Sequence, residues 1–564
     1  MRSPKLHSTG ALTPAELARQ ERRYAQGHRY DDVIIGTGVS ALTLGALLAN
    51  AGRRVCLIEA HDTAGGYAHT FSMGAYSFCA QVHYVWGCGP GDTVDLFLRR
   101  LGLQDTLTFE LMDPAGYDRV TLPGGARVRI PYGFDRLADN IESSAPGSRP
   151  GVERFLALVR RIHSEQRLLP SDLPLGAVGA LAHGWRFRTL LRYRNRTLAE
   201  AFDEFGLSRE ARAILSANAG DFGEPPATLS LMAYAGLMGG YNRGAYYPTR
   251  HFGHYVDTLI RFITAHDGCH AYFETEVSGI EVEGRRVVAV RAGTKVFRAE
   301  RYICNADPQW AARELISWRQ VPRRWRKSLS YPYSPSGIVV YLGLRGIDLR
   351  EYGFGRHNTW HLSDWSMDRA WRRQEHGDFS DPWAFVSTAS LQTPHRGTTP
   401  PGGQIMEIAT NADFGRLRGL KDADRRAYRR EKHRVGNAII DLVERHYVPG
   451  LRKHIAVKVV GSPTTNEDYV RAPRGNAYGS SRTRANVNLG RLRPETPWEN
   501  LWWCNASSGF PGFFGTTATG VRLYTRLTGD RSVLGPVPSD RAMIDHASAE
   551  GAGSSHRDER VPTP

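Results

Sequence analysis

The hydrophobic positions near residues 30–60 follow the order strand, helix, strand. Residues 33–35, Val-Ile-Ile, form a short apolar run of the kind that is buried in a parallel strand. Residues 40–50 predict a helix that ends at Gly52, and residues 55–58 predict a second strand. This order indicates two parallel strands joined by a crossover helix.

The rest of the chain mixes helices and strands. Hydrophobic alternation over residues 120–130, interrupted by Pro123-Gly124-Gly125, predicts a hairpin. The other predicted elements are a charged helix at 12–24, a largely helical region at 135–240 with helices at 208–218 and 229–238, a break at 239–244, a helix at 251–263, strands at 271–273, 277–282, 287–291 and 339–344, and a charged exterior helix at 416–447. This mixture indicates an α/β protein.

A glycine-rich turn follows the first strand, and its residues suit the pyrophosphate of a dinucleotide. Gly36 permits a tight turn, Gly38 lets the backbone approach a pyrophosphate, and Ala41 keeps the helix close to the sheet. The helix points its N-terminal amides and positive dipole end at the phosphates. Glu59 ends the second strand, where a carboxylate accepts the ribose hydroxyls. The alternative is a glycine-rich turn in an unrelated α/β unit.

A second glycine pair, Gly65-Gly66, follows Glu59 and leads to His69-Thr70 and then Phe71. An NAD site does not need this pair, whereas it suits a backbone that passes close to a second part of a longer cofactor. The pattern E-x(5)-GG-x-x-H-T-F resembles the flavin-dependent phytoene desaturase, carotenoid isomerase and retinol saturase family, which belongs to the amine-oxidase-like flavoproteins.

Three further segments resemble this family in the same order. They are FCAQVHYVWG at residues 78–87, the region 277–308 that closes in CNADP, and APRGNAYG at 472–479, followed by NLWW at 500–503 and GFPG at 509–512. The resemblance runs from about residue 30 to about residue 530. It departs from the family at Cys79, Gln81 and Ala506, where relatives carry Asp, Gly and Gly. We interpret Cys79 as a small buried residue, with a redox thiol or a covalent flavin link as the alternatives.

The resemblance implies FAD as the cofactor and assigns residues to it. The implied cofactor-binding residues are Gly36, Gly38, Val39, Ser40, Ala41, Glu59, Ala60, Gly65, Gly66, His69, Thr70, Val277, Asn305, Ser507, Ser508, Gly512 and Phe513. The HYVW segment adds His83 and Tyr84 as catalytic residues, with His83 as an acid or base because its unperturbed pKa is ~6.5. The implied substrate-binding residues are Trp86, Phe510 and Phe514. The alternatives are a histidine that only holds a loop and aromatic residues that only pack in the core.

The resemblance also implies a division into domains. We predict a discontinuous Rossmann-type FAD-binding domain with an inserted mixed α+β substrate domain. The predicted segments are an N-terminal tail at 1–30, FAD-binding segments at 31–110, 245–320 and 486–530, substrate-domain segments at 111–244 and 321–485, and a disordered tail at 531–564.

The charge and composition of the chain limit the binding partners that we expect for it. The net charge is +16, from 73 Lys plus Arg against 57 Asp plus Glu, but no nucleic-acid-binding module or concentrated basic domain is present. We therefore expect no nucleic-acid partner. Basic and aromatic residues alternate at 185–196 and 323–327, which indicates either a solvated helix face with its aromatics turned inward or a peripheral membrane contact.

Neither a secretory segment nor a membrane-spanning one is apparent in the sequence. Six scattered cysteines without a CxxC motif favour a reduced, cytoplasmic protein, and no cluster has metal-ligand spacing, so we expect no metal.

Three functions remain open. The leading hypothesis is an FAD-dependent oxidoreductase that desaturates or saturates a carbon–carbon bond of a hydrophobic polyene or isoprenoid-like substrate by hydride transfer at flavin N5. The second is a redox-neutral cis–trans isomerase of a polyene, and the third is a non-catalytic flavin- or lipid-binding protein. An amine oxidase is a weaker alternative. The electron donor or acceptor stays open between a transiently bound nicotinamide, a quinone and dioxygen.

Overall fold

The computed structural model describes residues 12–25, 29–168, 187–393, 395, 397–487 and 491–534. The charged N-terminal helix that the sequence predicts is confirmed, and it spans Pro14–Ala25. Of the predicted disordered tail, residues 535–564 lie outside the described residues.

A five-stranded parallel sheet forms the first layer. Its strands lie in the order His270–Tyr272, Val55–Ile58, Tyr30–Ile35, Ala299–Cys304 and Leu501–Trp503. The sequence therefore predicted the strand–helix–strand unit correctly, and its crossover helix is Val39–Asn50. Three distant parts of the chain supply this sheet, which gives the predicted α/β fold its Rossmann-type core.

The crossover helix is buried between other helices and the sheet. All its residues except Asn50 are buried, because the helices Phe252–Ala265 and Gly512–Thr528 pack against it. A methyl group on Gly520 would lie 2.7 Å from the backbone oxygen of Ser40. Gly520 therefore lets the C-terminal helix approach the start of the crossover helix closely.

A seven-stranded mixed sheet forms the second layer. Its strands lie in the order Ile455–Gly461, Gly337–Arg345, Gly403–Asn411, Ala384–Ser387, Asn358–His361, Asp118–Thr121 and Arg127–Ile130. All neighbouring strands are antiparallel except Asn358–His361 and Asp118–Thr121, and the last two strands of the order form the predicted hairpin. Side chains alternate between the two faces, so Tyr341, Phe385 and Glu407 share one face, which we call the inner face.

The opposite face of this sheet is covered by two helices where the sequence predicted one. They are Phe414–Ala423 and Arg425–His446. Asp424 separates them, because its backbone is extended and its carboxylate accepts a hydrogen bond from the amide of Arg426 at 2.7 Å. Val340 and Ile408 of the sheet pack with Ile439 and Val443 of the second helix.

The predicted break at residues 239–244 is wrong at its start. The helix Leu231–Tyr241 runs through Gly239 and Gly240. A methyl group on Gly240 would lie 2.4 Å from the ring of Trp86, and one on Gly239 would lie 2.2 Å from the ring of His163. The two glycines therefore make room for these rings instead of ending the helix.

The remaining elements complete the two layers. Thr70–Met73 pairs with Tyr76–Cys79. In a three-stranded sheet, Ala245–Pro248 lies between Val85–Trp86 and Phe109–Leu111, and in another, Arg286–Ala292 lies between Gly279–Glu283 and Lys295–Phe297. The other α-helices are Thr93–Leu101, Phe134–Ser144, Arg149–Arg167, Arg188–Tyr193, Leu198–Glu204, Arg209–Ser216, Pro308–Trp310, Arg323–Arg326, Met367–Glu375, Ala389–Gln392 and Pro463–Val470. Shorter helical turns are Gly66–Ala68, Ala217–Phe222, Ala311–Leu315, Leu349–Tyr352, Leu451–His454, Pro473–Gly475 and Ser532–Leu534. The predicted division into domains stays a prediction.

Candidate functional site

A cleft lies at the carboxyl ends of the central strands of the five-stranded sheet, the place where open α/β sheets bind ligands. The predicted cofactor residues that line it are Gly36, Gly38, Glu59, Ala60, Gly66, His69, Val277 and Asn305. Thr37, His61, Tyr469 and Arg471 line it as well, and the sequence did not single them out.

The glycine turn leaves the start of the crossover helix open to an anion. Gly36 has a φ of +95°, which an L side chain rarely adopts. The helix begins after Gly38 without a side-chain cap and without an acidic residue in its first turn. Its positive end therefore has no carboxylate of its own helix against it.

Glu59 is held in place at the end of the second strand. Its Oε2 accepts a hydrogen bond from the amide of Thr37 at 3.0 Å, and its Oε1 accepts one from the amide of His61 at 2.9 Å. The Thr37 hydroxyl also donates to Oε2. A carboxylate fixed in this way retains acceptor capacity for a hydroxyl of a ligand in the cleft.

Asn305 joins three segments of the site. Its Oδ1 accepts a hydrogen bond from the amide of Gly38 at 2.9 Å, and its Nδ2 donates to the hydroxyl oxygen of Ser40 at 2.9 Å and to the carbonyl of Cys504. Ser40 in turn donates to the carbonyl of Cys504 at 2.9 Å. The asparagine of the predicted CNADP segment therefore ties the glycine turn to the C-terminal segment.

Four other predicted cofactor residues lie beside the cleft. Val39 and Ala41 are buried in the crossover helix. The amide of Gly65 donates to the carbonyl of Thr37 at 3.0 Å, so the second glycine pair lies against the first glycine turn. Thr70 does not line the cleft, and its hydroxyl lies 3.0 Å from Nδ1 of His251.

The C-terminal cofactor residues form a separate group. The hydroxyl of Ser507 accepts from the amide of Ser480 at 3.0 Å, and the amide of Ser508 donates to Oδ1 of Asn505 at 3.0 Å. Gly512 begins the C-terminal helix. The Phe513 ring packs in the core, 4.9 Å from the ring of Tyr255, so its side chain does not face the cleft.

His83 forms a pair with a buried carboxylate of the inner face. Its Nδ1 lies 2.7 Å from Oε2 of Glu407, and the two side chains are 13% and 1% exposed. With Nδ1–H donating to the carboxylate, Nε2 is the ring atom left to accept or donate a proton. The other oxygen of Glu407 is buried and has no hydrogen-bond partner among the described residues.

Tyr84 lies between the buried carboxyl group of Asp118 and the half-buried one of Asp221. Its hydroxyl is 2.8 Å from Oδ2 of Asp221 and 3.1 Å from Oδ2 of Asp118, and Asn218 and Asn358 donate to Asp118 at 2.8 and 3.2 Å. One hydroxyl proton cannot serve both carboxyl groups, so the arrangement is satisfied when one of them is protonated.

Burial accounts for the protonation of this pair. Burial raises the pKa of Asp118 to about 6, with hydrogen bonds from Asn218 and other donors acting in the opposite direction. Burial, followed by the neighbouring charge of Asp118, raises the pKa of Asp221 well above its usual value. Two carboxyl groups that contact one hydroxyl repel each other when both are ionised, which favours the protonated form of one of them.

The predicted aromatic slot residues do not lie together. Trp86 stacks on Phe514 with ring centroids 3.7 Å apart. Phe510 instead contacts arginines, with the Cζ atoms of Arg491 and Arg522 at 3.7 and 4.8 Å from its ring centroid. The structure thus places Phe514 against Trp86 of the HYVW segment and Phe510 in a basic environment.

Cys79 is buried, as the sequence interpretation favoured. Its side chain is 1% exposed, and burial raises the pKa of its thiol to about 12. A thiol of this kind stays protonated and unreactive at neutral pH.

Glu407, Asp118 and Asp221 are the polar partners that the sequence prediction missed. Each belongs to a segment far from residues 83–84 in the chain. Glu407 carried a signal, because it is the single acid in the apolar strand Gly403–Asn411. An acid at a buried strand position without a function is costly, so its presence indicates a partner.

The exposure of individual side chains distinguishes the two interpretations of the basic cluster at residues 185–196. Phe187 and Tyr193 are buried while Arg192 is 74% exposed, as in a solvated helix face with its aromatics turned inward. Residues 185 and 186 of that cluster lie outside the described residues.

Within the described ranges, no helix has the length and apolarity to cross a membrane, and no three or more His, Cys, Asp or Glu side chains are grouped to hold a metal ion.

Comparisons with known proteins agree with this architecture. Residues 34–101 match the family of NAD(P)-binding Rossmann-like domains. The chain is 24% identical over 525 residues to all-trans-retinol 13,14-reductase of Danio rerio, covering 86% of this chain and 84% of the relative. It is 25% identical over 500 residues to the Homo sapiens protein of the same name, covering 83% and 79%. It is 21% identical over 538 residues to chloroplastic prolycopene isomerase 1 of an Oncidium hybrid cultivar, covering 92% and 87%.

Solved structures share the fold at lower identity. Cyclohexylamine oxidase from Brevibacterium oxydans superposes with a TM-score of 0.57 at 16% identity, covering 93% of this chain and all of that chain. A putrescine oxidase variant redesigned for cofactor binding gives a TM-score of 0.60 at 14% identity, covering 89% and 99%.

The fold and the relatives define the class of the protein, which is that of the FAD-dependent oxidoreductases. Within this class the chain is similar over most of its length to proteins named all-trans-retinol 13,14-reductase and prolycopene isomerase, which agrees with the resemblance that the sequence motifs indicate.

Proposed function

We propose that the protein binds FAD and adds or removes two hydrogens across a carbon–carbon bond of a hydrophobic polyene. One observation carries the proposal. The consecutive residues His83 and Tyr84 bring two proton-holding groups to the inner face, and Trp86 supplies an aromatic surface beside them. Relatives named for retinol reduction and prolycopene isomerisation support the substrate class.

The residues of the cleft fit the adenosine half of FAD. A methyl group on Gly38 would lie 2.6 Å from Oδ1 of Asn305, so only glycine leaves room there. Gly36, Gly38 and the start of the crossover helix would hold the pyrophosphate, and Glu59 would accept the ribose hydroxyls. Bound FAD would supply the hydride donor or acceptor at N5.

The protein's own part of the reaction is to hold a proton beside the substrate. Glu407 fixes the ring of His83 and leaves Nε2 to donate or accept a proton. The Tyr84 hydroxyl contacts both carboxyl groups of the Asp118–Asp221 pair, which keeps a proton available at that oxygen. Adding hydrogen across a double bond requires both a hydride and a proton, and these groups supply the proton.

A redox-neutral isomerisation is the second candidate, because the chain is also similar to prolycopene isomerase over most of its length. The same arrangement serves this reaction if the proton and the hydride added to the polyene are both withdrawn again. The net mass of the product separates the two reactions.

The test starts with the absorbance spectrum of the purified protein before and after acid precipitation. Bands near ~450 nm and FAD in the supernatant support the cofactor assignment. The protein is then incubated with all-trans-retinol and with a cis-carotenoid, with dithionite-reduced and with oxidised flavin. A product that differs from its substrate by two hydrogens supports the proposed reaction, and a product of unchanged mass but different retention time supports the isomerase. Bound flavin that no polyene oxidises or reduces would favour a non-catalytic binding protein.

A further inference from the structure

A dense group of positive charges follows the strand Ala299–Cys304, where the chain leaves the five-stranded sheet. Residues 313–327 contain six basic side chains, with Glu314 as the only acid among them. All six are exposed except Arg326, which is half-buried. We call this group the basic patch, and its members are Arg313, Arg319, Arg323, Arg324, Arg326 and Lys327. It includes the basic and aromatic cluster at 323–327, for which the sequence left a solvated face and a membrane contact as alternatives.

The charges of the basic patch are not paired with acids. Among the described residues, none of its six side chains takes part in an ion pair. Exposed arginines of the preceding strands and turns behave differently. Arg285 and Arg286 lie 3.5 and 3.4 Å from carboxylate oxygens of Glu499, and Arg291 pairs with Glu281. The patch therefore leaves its positive charge available to a partner.

Two tryptophans accompany these charges at the surface. Trp318 and Trp325 are half-buried and pack on the hydrophobic core beside the five-stranded sheet. The guanidinium groups of Arg313 and Arg326 lie over the Trp318 ring, with their Cζ atoms 4.2 and 5.6 Å from its centroid. Amphipathic rings next to basic side chains suit the boundary between water and lipid head groups.

The segment that carries the basic patch is anchored in the core. Its apolar side chains are buried in the same cluster as Ile58 and Tyr302 of the five-stranded sheet, and they are Ala312, Leu315, Ile316, Val321 and Leu329. Because the folded core supports this segment, the six charges and the two tryptophans form a surface of fixed shape.

An anionic lipid bilayer is the partner that fits this surface. The negative potential of such a bilayer attracts clusters of about four to eight Lys and Arg side chains. Tryptophan is enriched at the level of the head groups, because its ring has both an apolar body and a polar edge. We propose that the basic patch, together with Trp318 and Trp325, docks the protein on the surface of an anionic bilayer without spanning it.

An acidic electron-transfer protein fits the position of the basic patch less well. Trp310 and Leu315 line the cleft together with Glu59 and Val277, so the patch lies beside this end of the cleft. The adenosine half of FAD would lie there, whereas an electron donor has to approach the flavin ring at the other end of the cofactor. Docking on a bilayer is independent of the reaction proposed above. For a polyene substrate it would bring the protein to the lipid phase in which such a molecule dissolves.

The experiment measures co-sedimentation of the FAD-loaded full-length protein with vesicles. One set contains equal parts of phosphatidylglycerol and phosphatidylcholine, and the other contains phosphatidylcholine alone. We expect binding to the anionic set only, with a loss at high ionic strength because salt screens exposed charges. Each basic side chain near an anionic surface contributes about fivefold to partitioning, so the triple variant Arg323→Gln, Arg324→Gln, Lys327→Gln should bind about hundredfold more weakly.

The matched control removes the same number of charges from the other basic cluster. It carries Arg192→Gln, Arg194→Gln and Arg196→Gln, and its vesicle binding should equal that of the wild type. All the substituted side chains are exposed, so both triple variants should fold, which flavin absorbance and urea unfolding verify. Arg319→Glu, a single charge reversal in the patch, should also weaken vesicle binding by more than tenfold.

Three results overturn the proposal. The first is absence of binding to the anionic vesicles, or equal binding by the wild type and the patch variant. The second is an equal loss in the patch and control variants, because binding then follows net charge and not this surface. The third is patch-dependent binding to duplex DNA that is tighter than binding to the vesicles, which assigns the patch to nucleic acid. Polyene turnover enters none of these measurements, so their failure would leave the proposed reaction untouched.

Discussion

Nδ1 of His83 lies 2.7 Å from Oε2 of Glu407, so a histidine of a connecting segment is oriented by a carboxylate of a buried strand. The carboxylate belongs to the strand Gly403–Asn411, whose position is fixed by neighbouring strands on both sides. A ring held from a rigid sheet keeps its other nitrogen in one position, which proton transfer requires.

Glu407→Gln should lower polyene turnover by about tenfold to hundredfold, because partners that orient a functional histidine typically contribute that much. FAD content should not change, since Glu407 does not line the cleft. The measurement is the rate of two-hydrogen product formation with flavin absorbance as the internal reference. Glu283→Gln, at an exposed position, is the control. Equal turnover of Glu407→Gln and the wild type would show that His83 needs no such partner.

Tyr84→Phe should destabilise the protein by about 1–3 kcal/mol, because it leaves the buried carboxyl group of Asp118 and the half-buried one of Asp221 without their shared hydroxyl. Turnover should fall as well if this hydroxyl delivers the proton. Urea unfolding gives the free energy, and product formation gives the turnover. The half-buried Tyr352 offers a matched Tyr→Phe control. A stable Tyr84→Phe variant with normal turnover would remove Tyr84 from the site.

The pH dependence of stability should report the Asp118–Asp221 pair. The pKa of Asp118 is about 6 in the folded protein against 3.8 as the ordinary value, so the folded state binds its proton more tightly. The contribution of Asp118 to folding stability is therefore largest below about pH 4. It falls as the pH rises to about 6, by about 3 kcal/mol in all.

Asp118→Asn removes this titration and keeps an oxygen acceptor for Asn218 or Asn358. Relative to the wild type, its free energy of unfolding should rise between pH 4 and pH 7, measured by urea unfolding at each pH. Asp381→Asn, at an exposed position, should follow the wild type. A parallel course of the Asp118→Asn and wild-type curves would contradict a raised pKa at this carboxyl group.

Gly38→Val should weaken FAD retention more than tenfold, because its Cβ would collide with Oδ1 of Asn305 at 2.6 Å. Glu59→Ala should weaken FAD retention as well, since it removes the carboxylate that faces the ribose. The ratio of flavin absorbance to protein absorbance after gel filtration measures retention. Gly419→Val is the control for the first variant, because a Cβ there meets nothing within 4 Å. Full flavin occupancy in both cleft variants would show that the pyrophosphate and ribose assignments are wrong.

Several residues that line the cleft could be picked out from the sequence because they are local or follow recognisable motifs, while their role in binding FAD stays a prediction. Gly36, Gly38 and Glu59 belong to one strand–helix–strand unit, whose geometry follows from its spacing. Asn305 was assigned to the cofactor site from the CNADP motif, and in the structure it contacts the same glycine turn through the amide of Gly38.

The partners of His83 and Tyr84 could not be predicted in the same way. Which acid faces them depends on the register of strands that are hundreds of residues apart, as in the pairing of Asp118 with Asn358. The prediction that the helix breaks at Gly239-Gly240 was wrong for a related reason. A glycine that ends a helix and one that admits a ring of a neighbouring segment look alike in a single sequence.

The five-stranded sheet has a consequence for the order of folding. Its central strand, Tyr30–Ile35, pairs with Ala299–Cys304, which pairs in turn with Leu501–Trp503. The second strand of the unit, Val55–Ile58, pairs with His270–Tyr272, so during synthesis the unit leaves the ribosome with both edges unpaired and keeps them so for more than two hundred residues. Parallel strands that are this far apart in the sequence pair slowly, and until they pair, their unpaired edges are prone to aggregation. An early-binding adenine dinucleotide would shield the unfinished unit, and the yield of active protein would then depend on flavin supply during translation.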